Sequence, residues 1–549
     1  MEYTKILNIA NIKIDKNMVI IEFLYKSKKL FEDFNIYMVD EDGKIYDVLV
    51  SRCENKVTYD KNIGEVEVAK VVAELKLKNY GKIKINLKDN NTNNIYEFKI
   101  LNNKDEAIVK KENKYKIFTS KYVIEVNECY ISIKERKKLD LIKYEIFKFK
   151  YGLREYRKIF IYRFLKSKNS RYYLFNDRLH LGDDNAEALF TYICKYHKKF
   201  SKRCYFVLTK DSEAIPRLKK VGKVLKYGSI NHKLKFINSK MVISSHASFV
   251  GNCFNPFNEN EMEMYKDKIN KQFIFVQHGV IMNDIRQYVN RCLITADLYT
   301  VSTKDELKYL NLKDYMYEKE SIIGTGLPRF DRLINDDKKV ILIAPTWRTF
   351  VTDKVFSNSK EMRFEDSEFY KKYTSLLKNK KIKNIMKEKG YIIKFLLHPV
   401  LSDYKLLMKE CEDEYIKVYS VEEVNYSNLF NECSMLITDY SSIHFDVATL
   451  LKPIIYFQFD KEEFFKKHYS AGYFDYSKDG FGEVIEDEVK LEEEIISYLL
   501  NDCKIKEKYK DKIYNTFINV DKNNSKRVFD EIIKLDNRNE INYRFNNVH

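Results

Sequence analysis

Two histidines lie in loops that directly follow predicted buried strands. His278 follows Phe273–Val276 within Gln277-His278-Gly279, and His398 follows the strand that ends at Leu397. An imidazole has a pKa near neutrality, so a histidine at such a position can accept a proton as a general base. A structural histidine bonded to a backbone carbonyl is the alternative for either residue alone. Two histidines in equivalent loops of two domains would converge on one cleft, which favours a catalytic pair.

Two serines open a predicted helix directly after the strand Met435–Thr438. Ser441 and Ser442 can present hydroxyls and backbone N–H groups to an anion, and the helix dipole favours negative charge at that end. Asp446 follows Ser442 by about one helical turn, where its carboxylate could hold a nucleotide or order the two hydroxyls. Helix capping by Asp439 and Ser441 is the alternative interpretation. The run is therefore a candidate phosphate site that needs cations nearby.

Two arginines supply candidate cations for such a phosphate site. Arg329 ends Gly324-Thr325-Gly326-Leu327-Pro328-Arg329, and Arg348 ends Pro345-Thr346-Trp347-Arg348, which holds the single tryptophan of the chain. A guanidinium is planar, always charged and suited to bidentate contact with diphosphate oxygens. Pairing with surface carboxylates is the alternative for either arginine alone. Together with the serines, these arginines predict a diphosphate site between strand ends.

The sequence pattern around these residues predicts an α/β fold over residues 173–510. Short, continuous apolar runs alternate with helical segments, which is typical of parallel sheets covered by helices on both faces. In such sheets, ligands bind beyond the carboxyl ends of the strands. We divide this part near residue 325, into Rossmann-like domains at 173–325 and 326–510 that face one cleft. The predicted strands are Met241–Ser244, Phe273–Val276, Val340–Ala344, Tyr391–Leu397, Met435–Thr438 and Ile454–Phe457.

The segments at either end have different patterns. Residues 1–132 alternate apolar and polar residues in short runs separated by turn clusters, which predicts a β-rich accessory module. Its Asp40-Glu41-Asp42-Gly43 resembles a metal-binding DxD motif, but an Asp-Gly pair that closes a hairpin accounts for it without a metal. No internal sequence repeat is evident. Residues 511–549 are predicted to form a C-terminal helical tail.

Residues 133–172 form the most basic segment of the chain. Between Lys134 and Arg171 there are 14 Lys or Arg and 4 Asp or Glu, a net charge of +10. Apolar residues recur there at spacings of three and four, which predicts a basic amphipathic helix. Such a helix can bind an anionic membrane surface, and packing of its apolar stripe on its own domain is the alternative.

Length and composition exclude several classes of protein. The 549 residues carry a net charge of +17, with 44% apolar and 14% aromatic residues, which is too apolar for a disordered chain. The nine cysteines are scattered singly, so neither a zinc ribbon nor a disulfide framework is supported, and a reducing compartment fits. No signal peptide and no apolar run of about 18 residues is evident, so we expect a cytoplasmic protein that does not span the membrane. No Asp/His cluster has the spacing of metal ligands.

Taken in their order along the chain, the motifs resemble the CDP-glycerol glycerophosphotransferase family, the teichoic-acid and capsule polymerases of bacteria. The resemblance covers about residues 175–500. Its motifs are Gln277-His278-Gly279, Gly324-x-Gly-Leu-Pro-Arg329, Pro345-Thr-Trp-Arg348, His398-Pro399, Thr438-Asp-Tyr-Ser-Ser442 with Phe445-Asp446, and Gly472-Tyr-Phe-Asp475.

This resemblance implies a GT-B fold, no required metal or other cofactor, and His278 as the base that deprotonates the acceptor hydroxyl. Many members have Trp-His-Gly-Thr-Pro where this chain has residues 277–281, and Arg-Met-His where it has residues 396–398. These departures bear on donor or acceptor preference and not on the class of reaction. The implied donor contacts are Gln277, Gly279, Val280, Ile281, Arg329, Pro345, Thr346, Leu396, Leu397, His398, Ser441, Ser442 and Asp446.

The activity implied by the resemblance is transfer of a polyol phosphate, glycerol phosphate above all, from a CDP-activated donor to a hydroxyl of a lipid-linked or polymeric acceptor, with release of CMP. His278 would take the proton, while His398, Arg348, Arg329 and the two serines would stabilise charge at the diphosphate. The basic segment would bring the enzyme to the inner face of the cell membrane. The alternatives are a GT-B glycosyltransferase that uses a nucleotide sugar and, more distantly, a non-enzymatic polyanion-binding protein. No motif supports a nucleic-acid partner.

Overall fold

The structure is a computed structural model, and it divides into a β-sandwich and two parallel α/β sheets. The described residues are 6–15, 18–27, 34–52, 58–60, 64–76, 78, 80–101, 114–118, 122–127, 129–137, 172–246, 255–257, 271–285, 296–312, 317–356, 363–468, 470–537 and 541–544, with a few single residues between these ranges. None of the described helices is long and apolar enough to cross a lipid bilayer.

The N-terminal module consists of two seven-stranded sheets that pack on one hydrophobic core, with thirteen strands from residues 6–135 and one from the C-terminal segment 541–544. The first sheet has the strand order β10-β1-β2-β7-β5 and the second has the order β11-β12-β13-β8-β3-β4. Most neighbours are antiparallel, and alternate residues of strands such as β3 are buried, so the predicted β-rich module is confirmed. The strands are β1 (Ile6–Asp15), β2 (Met18–Ser27), β3 (Phe34–Val39), β4 (Ile45–Asp47), β5 (Leu49–Arg52), β6 (Thr58–Asp60), β7 (Gly64–Lys76), β8 (Tyr80–Asp89), β9 (Ile95–Glu97), β10 (Lys99–Leu101), β11 (Lys114–Phe118), β12 (Tyr122–Asn127) and β13 (Ile131–Glu135).

Two halves of this module repeat each other. The series β1–β5 in residues 6–52 recurs as β6–β10 in residues 58–101, and equivalent strands pair across the halves, β2 with β7 and β3 with β8. Matching hairpins join β3 to β4 and β8 to β9. In each hairpin an aspartate, Asp40 or Asp89, accepts main-chain hydrogen bonds of 2.9–3.1 Å from its turn. The halves share strand order and turn chemistry although no sequence repeat is evident.

The Asp40 turn has the conformation of a hairpin. Gly43 has a φ of 78°, in the left-handed region that favours glycine, and its N–H donates to the Asp40 carbonyl at 3.1 Å. The Asp40 carboxylate is bound by its own turn and by the Tyr46 hydroxyl at 2.8 Å. These bonds confirm the hairpin interpretation of the DxD-like motif.

The first parallel sheet has the order β16-β15-β14-β17-β18-β19-β20, in which the first strand along the chain lies inside and the order reverses next to it. This is the order of a doubly wound, Rossmann-like sheet. Apolar cores cover both faces, so its strands are continuous apolar runs. The strands are β14 (Tyr172–Asn176), β15 (Cys204–Leu208), β16 (Val224–Lys226), β17 (Ser239–Ser244), β18 (Gln272–Phe275), β19 (Leu298–Thr300) and β20 (Ile322–Ile323).

The second parallel sheet repeats this plan with the order β23-β22-β21-β24-β25-β26. It also lies between two apolar cores. The two sheets lie on either side of residue 325, and all six strands predicted for the α/β part are confirmed as strands. The strands are β21 (Val340–Ile343), β22 (Ile392–Leu396), β23 (Ile416–Tyr419), β24 (Cys433–Thr438), β25 (Ile454–Phe457) and β26 (Gly482–Ile485).

Helices cover both parallel sheets. Short 3-10 turns at Pro328–Arg332 and Pro399–Tyr404 follow two of the predicted motifs. The described α-helices of this part are α1 (Asn185–Tyr196), α2 (Lys198–Ser201), α3 (Ala214–Val221), α4 (Ile230–Ile237), α5 (Lys304–Leu310), α6 (Thr349–Phe356), α7 (Glu368–Leu377), α8 (Lys380–Lys389), α9 (Lys405–Lys409), α10 (Tyr426–Glu432), α11 (Ile443–Ala448), α12 (Lys461–Lys467), α13 (Tyr476–Asp479), α14 (Glu488–Leu500), α15 (Glu507–Thr516) and α16 (Asn524–Asn537).

The C-terminal segment returns to the first parallel sheet and then to the N-terminal module. In α16, the Phe529 ring lies 4.0 Å from the His197 ring, centroid to centroid, and Asp536 pairs with Lys240 at 2.8 Å. The last described strand, β27 (Ile541–Arg544), pairs antiparallel with β1. The predicted tail is therefore helical only to Asn537, and its last described residues extend a β-sheet.

Most of the basic segment predicted at 133–172 lies outside the described residues. The described part near its start includes Leu139, Ile142 and Ile146, whose side chains are all more than half exposed. The Lys143 N–H donates to the Leu139 carbonyl at 2.9 Å, a helical hydrogen bond. The three exposed apolar residues are spaced by three and four, as on one face of a helix.

Candidate active site

Loops from the carboxyl ends of both parallel sheets meet around His278. His278 follows β18, and it is exposed between the buried residues Gln277 and Val280. The loop turns at Gln277, whose φ is 56°. Gly279 lies against the start of α11 in the second sheet, where a Cβ atom would fall 2.9 Å from the Ser442 hydroxyl. A histidine of one domain therefore lies beside the serine run of the other.

Buried polar side chains fix the backbone of the His278 loop. Asn185 donates to the Gln277 carbonyl at 2.8 Å, and Gln277 donates to the Glu306 carboxylate at 3.2 Å. The same carboxylate accepts from the Ile281 and Ser302 N–H groups, each at 2.8 Å. Desolvation raises the pKa of Glu306 to about 7, although these hydrogen bonds favour its charged form. The buried side chains of Gln277 and Ile281 thus act as parts of the loop scaffold, and only their backbones can face a ligand.

The environment of His278 favours the neutral imidazole. Desolvation by the surrounding protein lowers the pKa of His278, and Asp184 opposes this shift only in part. A hydrogen bond to the backbone of Ser245 raises the pKa, as expected when the ring donates to a carbonyl. The His246 ring stacks on His278 at 4.9 Å between centroids. One ring nitrogen of His278 is therefore oriented by the backbone, and a neutral ring leaves the other able to accept a proton.

His398 follows a strand of the second sheet, and its ring offers a hydrogen-bond donor where His278 offers a proton acceptor. Its Nδ1 accepts a hydrogen bond from the Val400 N–H at 3.3 Å, at the start of the 3-10 turn. Burial lowers the pKa of His398 to about 4, so the ring is neutral and its proton lies on Nε2. The ring stacks on Trp347 with 5.9 Å between centroids. His398 can therefore donate a hydrogen bond to an anion but is a poor source of positive charge.

Arg329 joins the two domains, and its donors are occupied. Its guanidinium forms a bidentate pair with Asp446 at 2.7 and 2.8 Å and pairs with Asp184 at 2.8 Å. It also donates to the His278 carbonyl, and its own N–H donates to Asn185 at 2.9 Å. This pair positions the His278 loop, and the predicted contacts of Arg329 and Asp446 with the donor stay predictions.

Arg348 lies below the site and is fully buried. Its guanidinium pairs with Asp460 at 2.6 and 3.0 Å and with Asp439 at 2.9 Å. Asp439 also accepts from the Thr346 N–H at 2.8 Å, so this ion cluster holds the loop after β21. The predicted diphosphate contact of Arg348 does not fit the structure, because the side chain has no surface open to a ligand.

The remaining predicted donor residues divide by burial. Ser441 and Ser442 are half-buried at the start of α11, and the Ser442 side chain makes no capping hydrogen bond. The buried Thr346 hydroxyl has no hydrogen-bond partner among the described residues. These three hydroxyls remain candidates for phosphate or nucleotide contact. The other predicted side chains are buried in the cores, so only their backbones can face a ligand: Val280, Ile281, Pro345, Leu396 and Leu397.

A close approach of backbones explains the last of the resembling motifs. A Cβ atom at Gly472 would lie 2.2 Å from the Met282 carbonyl oxygen, so only glycine fits there. Next to it, Asp284 and Ser470 form an isolated antiparallel bridge. The segment around Gly472 thus packs the second domain against the chain that follows the His278 loop.

Sequence reasoning missed three charged or polar residues that shape this site: Arg178, Asp184 and Asn185. All three follow β14, the first strand of the first parallel sheet. The signal was available, because Asn176-Asp177-Arg178 is a polar run at a strand end, where ligands bind in such sheets. Glu306 was also missed, although Thr303-x-x-Glu306 has the spacing of a helix start. Within the described residues, no group of three or more His, Cys, Asp or Glu is arranged to hold a metal ion.

The buried His444 gives the domain a predictable acid sensitivity. Its ring lies among Phe474, Tyr456 and other aromatic rings, and neither ring nitrogen has a hydrogen-bond partner among the described residues. Burial lowers the pKa of His444 to about 3, whereas an unfolded chain would bind this proton near pH 6.5. Below about pH 6.5 the unfolded state therefore binds more protons, and stability falls by up to about 1.4 kcal/mol per pH unit.

We expect His444→Phe to remove this contribution. The difference between the urea unfolding midpoints at pH 7 and pH 5 should be smaller in the variant than in the unmodified chain. His180→Phe, at an exposed histidine, is the matched control and should keep the original difference. An unchanged acid sensitivity in His444→Phe would show that other groups cause it.

The chain is similar to a known protein family over more than half of its length. The family model of CDP-Glycerol:Poly(glycerophosphate) glycerophosphotransferase matches residues 156–534. Minor teichoic acid biosynthesis protein GgaB of Bacillus subtilis is 36% identical over 373 residues, which are 66% of this chain and 40% of that protein. A teichoic acid poly(glycerol phosphate) polymerase of Staphylococcus epidermidis is 29% identical over 246 residues, 40% of this chain and 31% of that protein. The chain thus spans less than half the length of these curated relatives.

A solved structure of the wall teichoic acid polymerase TagF shares the fold, with a TM-score of 0.50 and 20% identity. The match covers 73% of this chain and 98% of that one. The family model itself extends from the basic segment to α16 and includes every motif between Gln277 and Asp475 that is described above. The chain therefore belongs to the CDP-glycerol:poly(glycerophosphate) glycerophosphotransferase family.

Proposed function

We propose that the chain transfers a polyol phosphate, glycerol phosphate in the first place, from a CDP-activated donor to a hydroxyl of a teichoic-acid-like or capsular polymer and releases CMP. Family membership supports the class of reaction, and the names of the related proteins support the polymer class. The observation that carries the proposal is the neutral His278, held in a loop that lies against the Ser442 end of α11.

In the proposed reaction, His278 takes the proton of the acceptor hydroxyl while the acceptor oxygen attacks the β-phosphorus. The bond between that phosphorus and the oxygen bridging to the α-phosphate breaks, and its electron pair leaves with CMP. His278 suits this role because one ring nitrogen is oriented by the Ser245 backbone and the other can accept a proton. His398 contributes a neutral N–H donor from the opposite domain. Such transfer depends mainly on positioning and on stabilising charge.

We place the donor in a GT-B arrangement, between the carboxyl ends of the two parallel sheets. Thr346, Ser441 and Ser442 offer hydroxyls there, and we expect them to contact the nucleotide diphosphate, because aspartates already pair with Arg329 and Arg348. No resident metal is part of this proposal. The resemblance of the motifs to the family implies this independence of metal.

The test is CMP release by the purified chain from CDP-glycerol and, separately, CDP-ribitol, each with a short polyol-phosphate acceptor. We expect CMP from one of these donors, a product longer by one polyol phosphate, and the same rate in EDTA. A UDP-sugar serves as the comparison donor. Turnover of the UDP-sugar without CMP release from either CDP donor would replace the proposal by a glycosyltransferase, and a loss of rate in EDTA would contradict the metal-free mechanism.

We also propose that the basic segment 133–172 docks the enzyme on an anionic membrane surface. Its charge of +10 between Lys134 and Arg171 and the exposed side chains of Leu139, Ile142 and Ile146 support this location. Each basic residue near such a surface adds about 1 kcal/mol of attraction.

Vesicle flotation tests the membrane proposal. The protein should float with vesicles rich in phosphatidylglycerol and remain behind with neutral phosphatidylcholine vesicles. A variant with Leu139→Ser, Ile142→Ser and Ile146→Ser should bind anionic vesicles at least about tenfold more weakly, since three apolar contacts are lost. Equal binding to both vesicle types, or full binding by the triple variant, would contradict it.

A further inference from the structure

The arginines around the cleft differ in whether a carboxylate neutralises them. Arg329 and Arg348 each pair with two aspartates, as described above. Arg332 pairs with Asp183 at 3.2 Å and with Glu187 at 3.5 Å. Arg178 is half-buried, and it forms no ion pair with a carboxylate of the described residues. It is thus a cation in the cleft region whose charge the protein leaves available.

The backbone of Arg178 is held firmly although its charge is free. It follows β14 directly, and its carbonyl accepts from the N–H groups of Leu181 and Gly182 at 3.2 and 3.0 Å. The preceding carboxylate, Asp177, accepts from three N–H groups at the start of α1, at 2.9–3.0 Å. The guanidinium therefore extends from a fixed turn at the carboxyl end of the innermost strand of the first sheet.

The charge of Arg178, at the carboxyl end of β14, acts on histidines of both domains. Its positive charge contributes to lowering the pKa of His278 in the first domain and that of His398 in the second. Burial raises the pKa of the Tyr426 hydroxyl at the start of α10, and the nearby charge of Arg178 opposes this rise. Asn425, the residue before Tyr426, donates to Asp183, so the loop that follows Arg178 is tied to the same helix. Both histidines are neutral, so neither adds a second positive charge beside Arg178.

We propose that Arg178 binds the phosphate group that is transferred, by charge-assisted hydrogen bonds to its non-bridging oxygens between His278 and His398. The inference rests on the proposed function and adds a cation that no carboxylate of the described residues neutralises, unlike Arg329 and Arg348. A guanidinium can contact two phosphate oxygens at once, and it stays protonated throughout. In the step itself, the acceptor proton goes to His278 and the electron pair of the broken P–O bond leaves with CMP. Arg178 exchanges no proton and stabilises the charge that builds on the oxygens of the β-phosphorus.

The test compares the binding of CDP with the binding of CMP, because only CDP carries the phosphate in question. Isothermal titration of Arg178→Gln should show a Kd for CDP raised at least about tenfold and a Kd for CMP within about twofold of the original. Arg178→Lys keeps the charge without the planar guanidinium, so its Kd for CDP should lie between those of the unmodified chain and Arg178→Gln. Arg363→Gln, at an exposed arginine paired with Asp366, is the matched control for loss of charge and should change neither Kd.

Turnover supplies a second readout. We expect kcat for CMP release to fall by about 10²–10³-fold in Arg178→Gln, as when a charge-stabilising donor is removed from an active site. Equal losses of CDP and CMP binding, or no loss of either, would overturn the assignment, as would wild-type affinity for CDP in Arg178→Lys and Arg178→Gln alike. If the unmodified chain releases no CMP from any CDP-polyol, the proposed function fails. The CDP and CMP titrations would still decide whether Arg178 binds a β-phosphate.

Discussion

Replacing His278 by alanine should lower kcat for CMP release by about 10²–10⁴-fold, the usual contribution of a positioned general base. The reason is geometric as well as chemical. The Glu306 and Asn185 side chains hold the loop backbone, and the Ser245 backbone orients the ring. Alanine removes the proton acceptor and leaves these loop contacts in place. Binding of CMP should therefore stay close to that of the unmodified chain while turnover is lost.

The pH dependence of the unmodified enzyme gives an independent check on His278. A base acts in its deprotonated form, and the surroundings of His278 lower its pKa. Activity should therefore persist as the pH falls past about 6.5, the value of an unperturbed histidine, and decline only in more acidic solution. His180→Ala, at an exposed histidine of the same domain, should keep the full rate and the same profile. A His278→Ala enzyme with near-normal kcat, or an acidic limb above pH 6.5, would remove His278 from the mechanism.

The fold of the α/β part could be predicted from sequence because its signal is local. Continuous apolar runs such as Val340–Ile343 and Ile454–Phe457 are fully buried strands, as their residue types indicate. The duplication of the N-terminal module escaped detection for a different reason. Equivalent strands of the two halves pair with each other, β2 with β7 and β3 with β8. Such pairing depends on the alternation of apolar and polar residues and on strand register more than on residue identity.

The candidate site was only partly predictable, because charge compensation is not local in sequence. The strand-end rule correctly brought the loops of His278 and Ser442 together. It could not show that Arg329 is neutralised by Asp446, 117 residues later, or that Arg348 is neutralised by Asp460, 112 residues later. The residue types that suit a diphosphate suit a carboxylate equally well. Arg178 has the charge without a carboxylate partner that the sequence analysis expected of Arg329 and Arg348. Only the positions of the carboxylates in the structure distinguish these arginines.

Arg348→Met should destabilise the second parallel sheet by about 3–5 kcal/mol, because it leaves two buried aspartates without their cation. Asp439 and Asp460 are both buried, and the guanidinium also lies 5.0 Å from the ring centres of Tyr440 and Phe464. Trp347, the only tryptophan, precedes Arg348, so its fluorescence reports urea unfolding of this region directly. Arg363→Met, at an exposed pair with Asp366, is the matched control and should shift stability by less than about 1 kcal/mol.

A combined variant separates the ion cluster from simple packing. If the loss in Arg348→Met arises from uncompensated charge, adding Asp439→Asn and Asp460→Asn should restore a large part of the stability, since no buried carboxylate then lacks a partner. If the loss arises from the missing side-chain volume, the added substitutions should restore nothing. Because Asp439 also holds the Thr346 N–H at 2.8 Å, the single variant should in addition weaken CMP binding. Full stability and full CMP binding in Arg348→Met would contradict the role of this cluster as the support of the donor loop.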